Sequence, residues 1–242
     1  MTVLFQGIKF LHGMIYCLII LTITTGCGKS KPQAIHIVAF GDSTTAYRDT
    51  IAKVYTDRLP ACMKERGIDV TVYNAGMRGS HTGRITDNDI LSGPHALERF
   101  DEHVLQQNPR IVLIQYGIND AYIDGDDPEG PSRIPLQQFE QNLRFMITEI
   151  HKNNVIPVLM TPNQLGVPEP AWRNDRLSLY AKRMRQLAVS ADLPLIDLWQ
   201  ALPRDKAGDY LLDGVHPNDA GHQQVADTIA ESLAALLAPD SK

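Results

Sequence analysis

Four short segments of this 242-residue chain carry side chains that together could run nucleophilic catalysis: Gly41-Asp42-Ser43, Asn74-Ala75-Gly76, Gly117-Ile118-Asn119-Asp120 and Asp213-Gly214-Val215-His216. A serine hydroxyl is inert at neutral pH without a base, and histidine is the side chain poised for that task. The imidazole needs an acceptor on its other nitrogen, which Asp213, three residues before His216, can provide from one loop turn. Charge developing on a substrate oxygen needs fixed donors, which two loops at neighbouring strand ends can present together. Taken singly, each segment has a structural explanation: a serine that caps a helix, a glycine in a turn, an Asn-Asp that closes a loop. Order along the chain and placement relative to strands are what raise them above that.

Those placements follow from the apolar pattern. Short runs rich in Ile, Val and Leu at Ile35–Phe40, Val70–Asn74, Ile111–Tyr116, Val155–Met160 and Leu195–Leu198 predict strands buried on both faces. Between them, Leu136, Phe139, Leu143, Met146, Ile147 and Ile150 recur at helical spacing, as do Leu177, Tyr180, Met184 and Leu187. A last helix is predicted from about Asn218, its N-cap, with Val225, Ile229, Leu233 and Leu236 on one face. Thr50–Glu65 is helical in pattern, with Pro60 expected to kink or restart it. Alternating strands and helices predict an α/β fold, a three-layer α/β/α sandwich on a five-stranded parallel sheet. Ligands of such sheets bind beyond the carboxyl ends of the strands, where three of the segments lie; the fourth precedes the final helix. Ser43, at the first strand-to-helix turn, is expected to hold its N–H near a helix N-terminus.

The four segments, in this order, resemble the blocks of the SGNH (GDSL-like) hydrolase superfamily. Gly41-Asp42-Ser43-Thr44 matches the first, with threonine where leucine is more usual, and Gly76 matches the glycine of the second. Gly117, Asn119 and Asp120 match Gly-x-Asn-Asp, and Asp213 and His216, followed by Pro217, match the last. The similarity extends from Ile35 to about Leu237. It implies a flavodoxin-like sheet and a serine esterase with Ser43 as nucleophile, His216 as base and then acid, and Asp213 orienting His216. It implies an oxyanion hole made of the backbone N–H groups of Ser43 and Gly76 and the side-chain amide of Asn119, with no metal or organic cofactor. Asp42 and Asp120 are then expected to fix their loops. A non-catalytic binding module on the same scaffold is disfavoured because Ser43, Asn119, Asp213 and His216 are all present.

The remaining features bound the function. Net charge is −5, and no basic stripe supports nucleic-acid binding. The three cysteines, Cys17, Cys27 and Cys62, do not form a disulfide framework or a zinc-type cluster, and Cys62 is expected to be a buried thiol. Met14–Thr25 is an apolar run too short for a comfortable membrane span and of the length of a signal-peptide core. Thr24-Thr25-Gly26-Cys27 resembles a bacterial lipobox, although threonine stands where leucine is usual. That implies a signal peptide over residues 1–26, lipidation at Cys27, a polar linker over 27–34 and the hydrolase domain over 35–242 of an exported envelope protein. A simple secretory signal or an uncleaved anchor helix stand beside that reading. Membrane association is expected only through this segment.

Among the histidines, His222 is expected to face solvent and His81 to lie with Arg78 and Arg84 on a surface loop. His36, His95, His103 and His151 have no chemical neighbours in sequence. The resemblance implies a small-molecule or carbohydrate ester as the partner. The loops Met77–Gly93 and Ala121–Pro135 are polar, and Thr161–Ala171 is Pro-rich with few large apolar side chains. They favour small polar, carbohydrate O-acyl esters over the longer acyl chains of a lysophospholipase or acyl-thioesterase.

Overall fold

The computed structural model describes residues 33–88, 93–125 and 127–238. Five parallel strands, β1 (Ile35–Gly41), β2 (Val70–Gly76), β3 (Ile111–Gln115), β4 (Ile156–Met160) and β5 (Leu195–Ile196), form one sheet in the order β2-β1-β3-β4-β5. The inner strands β1, β3 and β4 are largely apolar runs because both faces are covered, whereas the edge strand β2 is only partly buried. Val38, Phe40, Val112, Ile114 and Leu159 point into one core, and Ile37, Ala39, Ile111, Leu113, Val158 and Met160 into the other.

The first core is closed by α2 (Ala96–His103), α4 (Leu136–Lys152) and α5 (Ala171–Ser190). Phe139, Leu143, Met146 and Ile150 of α4 meet Leu177, Tyr180, Met184 and Leu187 of α5 there, as their spacing predicts. The second core is closed by α1 (Tyr55–Lys64) and α8 (Asp219–Leu237). Short helices α3 (Ile118–Ala121), α6 (Leu198–Ala201) and α7 (Ala207–Tyr210) complete the order. Each core side chain taken fully from water contributes roughly 1.5–3 kcal/mol before entropy is charged against it.

Three expectations change. Helix α1 starts at Tyr55 rather than Thr50 and runs through Pro60 without a break; Ile51 and Val54 satisfy the apolar pattern by burial from an irregular segment. Strand β5 stops at Ile196 because Asp197 turns to Arg185 and Thr161, at 2.8 and 3.0 Å, and α6 begins at Leu198. No helix of the described residues is long and apolar enough to cross a membrane. The signal-peptide segment and Cys27 lie outside the described residues.

The chain leaves β1 towards β2 and later returns to the opposite side of β1 as β3. Crossovers thus reverse direction between β1 and β3, and ligands of open α/β sheets bind at that switch. Gly41 stands opposite both Gly76 and Gln115. The three strands therefore end level, and the segments beginning Asp42, Met77 and Tyr116 emerge side by side.

Candidate active site

Ser43 sits in a turn directly after β1. The Asp42 carbonyl accepts the N–H groups of Thr45 (3.2 Å) and Ala46 (3.1 Å), and Asp42 Oδ1 accepts both the N–H and hydroxyl of Thr44 at 2.8 Å. Thr45 Oγ1 donates to Gln115 Oε1 and pairs with Tyr55 OH, each at 3.0 Å, and Asn74 Nδ2 donates to the Thr45 carbonyl at 2.8 Å. Gly41 is required here, since a Cβ would come within 2.3 Å of Thr45 Oγ1. The first helix starts twelve residues later, so the expected help of a helix N-terminus at the Ser43 N–H does not hold.

His216 and Asp213 come from the loop before α8. His216 Nε2 lies 2.9 Å from Ser43 Oγ, and His216 Nδ1 lies 2.8 Å from Asp213 Oδ2 and 3.1 Å from Oδ1. Asp213 Oδ1 also accepts the backbone N–H groups of His216 (2.9 Å) and Val215 (3.1 Å). Partial burial pushes the Asp213 pKa up, but these donors and the His216 ring outweigh it and hold the carboxyl below its usual range. Gly214 at φ 84 lets the loop turn, and its carbonyl accepts Gly166 N at 2.7 Å. Asn163 Nδ2 donates to the Val215 carbonyl at 3.0 Å, and the Asn218 side chain caps α8 through Gly221 N at 2.9 Å.

Asn119 lies on α3 and donates from Nδ2 to the Ser80 carbonyl at 3.0 Å, leaving its second amide hydrogen for other use. Asp120 beside it is fully buried; its Oδ1 accepts Thr82 N (2.9 Å) and Thr82 Oγ1 (2.5 Å). Burial pushes its pKa up to about 7, against those hydrogen bonds and with a further upward push from Asp42. Asp42 is also raised by burial, opposed by Thr44. Both carboxylates fix loops, as expected.

The expectation for Gly76 is corrected. Gly76 belongs to β2, its N–H donates to Asn74 Oδ1 at 2.9 Å, and a Cβ there would stand 2.3 Å from Ala46 N. Close approach of β2 to the Ser43 turn, not donation to a ligand, demands this glycine. Gly79, at φ 74 in the turn closed by Ser80 N on the Met77 carbonyl (3.2 Å), lies beside the residue that Asn119 grips.

Two histidines are also misplaced by the sequence reading. His222 is buried, and its Nδ1 accepts Tyr55 N at 3.2 Å, joining α8 to α1. His81 is buried and stacked on His95 with ring centroids 3.5 Å apart, its Nδ1 accepting Gly83 N at 3.1 Å; His81 N in turn donates to His95 Nδ1 at 3.3 Å. Burial lowers the pKa of both His81 and His222 to about 4. His36 and His103 have partners too, Thr71 Oγ1 at 3.0 Å and Tyr73 OH at 3.4 Å. Cys62 is a buried thiol, as expected.

Ser43 and His216 open onto a cleft of about 190 Å³. Its walls include Ile118, Leu165, Trp172, Leu177 and Val215, with Asn119, Ala121, Tyr122, Arg133, Glu169 and Arg173 completing the lining. Leu165 is fixed by reciprocal bonds with Asn174, N–H to Oδ1 at 2.8 Å and Nδ2 to carbonyl at 2.6 Å. The Tyr122 ring is held between the guanidinium groups of Arg133 and Arg173, 4.3 and 4.1 Å from its centroid. Arg133 is in turn bonded to Asp124, and Arg173 to Glu169 at 3.3 Å. These wall residues escaped the sequence reading: Leu177 was allotted to the core stripe, Trp172 falls just past the Pro-rich loop, and Ile118 and Val215 lie inside the motifs.

A serine, imidazole and carboxylate in hydrogen-bonded series, at the switch point of a 2-1-3-4-5 parallel sheet, define an α/β fold of the SGNH hydrolase type. The model of the GDSL-like lipase/acylhydrolase family matches residues 39–224, and the chain belongs to that family and is an ester hydrolase by class. A Bacillus subtilis protein named as the uncharacterized lipoprotein YqeF is 30% identical over 211 residues, covering 75% of this chain and 77% of that protein. The Escherichia coli thioesterase 1/protease 1/lysophospholipase L1 is 29% identical over 210 residues, 85% of this chain and 86% of that one. The crystal structure of the lipase/acylhydrolase from Enterococcus faecalis superposes with a TM-score of 0.67 at 28% identity, covering 86% of this chain and 100% of that one. Axe2, an acetylxylan esterase from Geobacillus stearothermophilus, shares the fold at a TM-score of 0.64 and 22% identity, over 82% of this chain and 94% of its own.

Proposed function

We propose that the protein hydrolyses carboxylic esters through an acyl-enzyme on Ser43, with an acyl chain of several carbons lying in the cleft. His216 Nε2 takes the Ser43 proton as Oγ attacks the carbonyl carbon, and Asp213 holds the ring with Nδ1 protonated and favours its charged form. The oxyanion is received by the Ser43 N–H and the free hydrogen of the Asn119 amide, with Gly79 rather than Gly76 as the backbone partner on the adjoining loop. Collapse expels the alcohol, protonated by His216. Water then repeats the sequence and frees the acid. The observation that carries this reading is the hydrogen-bonded series Asp213–His216–Ser43, at 2.8 and 2.9 Å, opening on an apolar cleft.

The cleft also revises the substrate favoured by the loops. Ile118, Leu165, Trp172, Leu177 and Val215 suit an alkyl chain, while Arg133, Glu169 and Arg173 suit a polar group on the same substrate. Each methylene buried is worth ~0.8 kcal/mol, about fourfold in kcat/KM until the cleft is filled. A p-nitrophenyl ester series from acetate to laurate, run beside acetylated xylo-oligosaccharides, tests this. The optimum is expected between butyrate and decanoate. A maximum at acetate, or activity confined to the oligosaccharides, would overturn the acyl-chain reading. Ser43→Ala is expected to lose on the order of 10⁴–10⁶ in rate. Wild-type turnover with an unchanged circular dichroism spectrum would refute the nucleophile.

We further propose an envelope lipoprotein anchored at Cys27. Support comes from Thr24-Thr25-Gly26-Cys27 and from the name of the B. subtilis relative. Intact mass from a bacterial host should show a chain beginning at a diacylated Cys27. A mass without lipid refutes it.

A further inference from the structure

Arg99 of α2 is 3% exposed, yet among the described residues no carboxylate lies within ion-pair distance of it. Burying a guanidinium outside ion-pair contact is costly unless its hydrogens are well received, and here Asp42 acts on it only through longer-range attraction. Three of its five hydrogens are received at the carboxyl edge of the sheet, while Nε has no partner among the described residues. Nη1 donates to the Ala75 carbonyl at 2.5 Å, and Nη2 donates to the Gly41 carbonyl at 2.7 Å and to Tyr116 OH at 2.6 Å. The guanidinium carbon also lies 4.4 Å over the Phe40 ring.

The three acceptors lie where the three strands end level, Gly41 and Ala75 within β1 and β2 and Tyr116 one residue beyond β3. Gly41 stands two residues before Ser43, Ala75 is the penultimate residue of β2 ahead of the Met77–Ser80 turn, and Tyr116 stands three residues before Asn119. The Gly41 carbonyl additionally accepts Met77 N at 3.0 Å, so two of the three segments are already joined at that oxygen.

We infer that Arg99 is a positioning residue for ester hydrolysis: its buried guanidinium sets the spacing of the three segments that present Ser43, the Gly79 turn and Asn119 to the substrate oxygen. This rests on the proposed roles of Ser43 and Asn119. Its positive charge, set in a low-dielectric layer beneath the site, also favours negative charge developing above it. A brace needed only for stability would change the melting temperature and leave the chemical step alone. A positioning residue must change kcat.

Arg99→Met, Arg99→Lys and Tyr116→Phe, with Ser43→Ala beside them, separate these cases. The readouts are thermal midpoint, kcat and KM on the preferred p-nitrophenyl ester, and the affinity of a trifluoromethyl ketone that forms a tetrahedral adduct. Arg99→Met is expected to lower kcat on the order of 10²-fold with KM within about threefold, the cost of displacing catalytic groups by about an ångström. Adduct affinity should fall in proportion. Arg99→Lys keeps the charge but reaches fewer acceptors, and Tyr116→Phe removes one of them, so both should fall between wild type and Arg99→Met. If Arg99→Met fails to fold, the other two decide. Folded variants with wild-type kcat and adduct affinity, or changed only in KM, overturn the assignment. Turnover surviving in Ser43→Ala would remove the site assignment, and this one with it; an inactive Ser43→Ala beside unaffected Arg99 variants would overturn this one alone.

Discussion

Replacing His222 by asparagine should make the fold less sensitive to acid. His222 is held neutral: burial lowers its pKa to about 4, and its Nδ1 accepts Tyr55 N at 3.2 Å, where a proton would set donor against donor. Unfolded, the same imidazole titrates near ~6.5. Between about pH 6.5 and 4 the unfolded chain therefore binds one more proton at this site than the folded chain. Stability must fall as pH falls through that window, by ~1.4 kcal/mol per unit and about 3 kcal/mol in all. The asparagine Oδ1 can accept the Tyr55 N–H without titrating. Urea unfolding at half-unit steps from pH 7 to 4 should thus give a shallower dependence for His222→Asn, the two curves converging by about 3 kcal/mol on the acid side. His81 adds a contribution of the same sign in both proteins, and Asp120, raised to about 7, one of opposite sign. Both cancel in the difference. Parallel curves would show that His222 does not take up its proton on unfolding, and the reasoning would fail.

Three further outcomes follow from particular contacts. Asn119→Ala should lower kcat by roughly 10²–10³ with little change in KM, because its free amide hydrogen is needed as charge develops; a change in KM alone would make it a ground-state contact. Leu143→Ala, in the first core, should cost about 2–5 kcal/mol by urea unfolding with activity per folded molecule retained. Gly76→Ala forces a Cβ against the Ala46 backbone and should cost about 1–3 kcal/mol; a variant as stable as wild type would show that the Ser43 turn can retreat.

The centre of the sheet was legible because strands buried on both faces leave nearly unbroken apolar runs, while the edge strand β2 is only partly buried. The convergence of Ser43, Asn119, Asp213 and His216 on one cleft was legible because such residue types come in short, ordered motifs. Where the chain closes loops, sequence carried less. Which glycine after β2 turns outward depends on how far the strand continues, and the register of Gly76 opposite Gly41 decides it. His81 and His95 are fourteen residues apart with no periodic pattern between them, so nothing local announces their stacking. His222 was readable after all: it stands in the stripe of Val225, Ile229 and Leu233, three residues ahead of Val225, and that spacing should have outweighed its polarity. The cleft was the hardest part, since its walls come from α3, the loop after β4, and α5, each assigned to another purpose.

The two sides of the site are built from different stretches of chain. Asp42, Thr44, Thr45, Asn74, Gln115 and Tyr55 hold the Ser43 turn from beneath, and none of them lines the cleft. The cleft is shaped instead by Tyr122, Leu165, Glu169, Trp172, Arg173 and Leu177. Under the proposed function, selection can therefore redraw the cleft wall between residues 165 and 177 while Ser43, His216 and Asp213 keep their distances. A lineage carrying this scaffold is free to wander among acyl groups and alcohols without inventing its chemistry again.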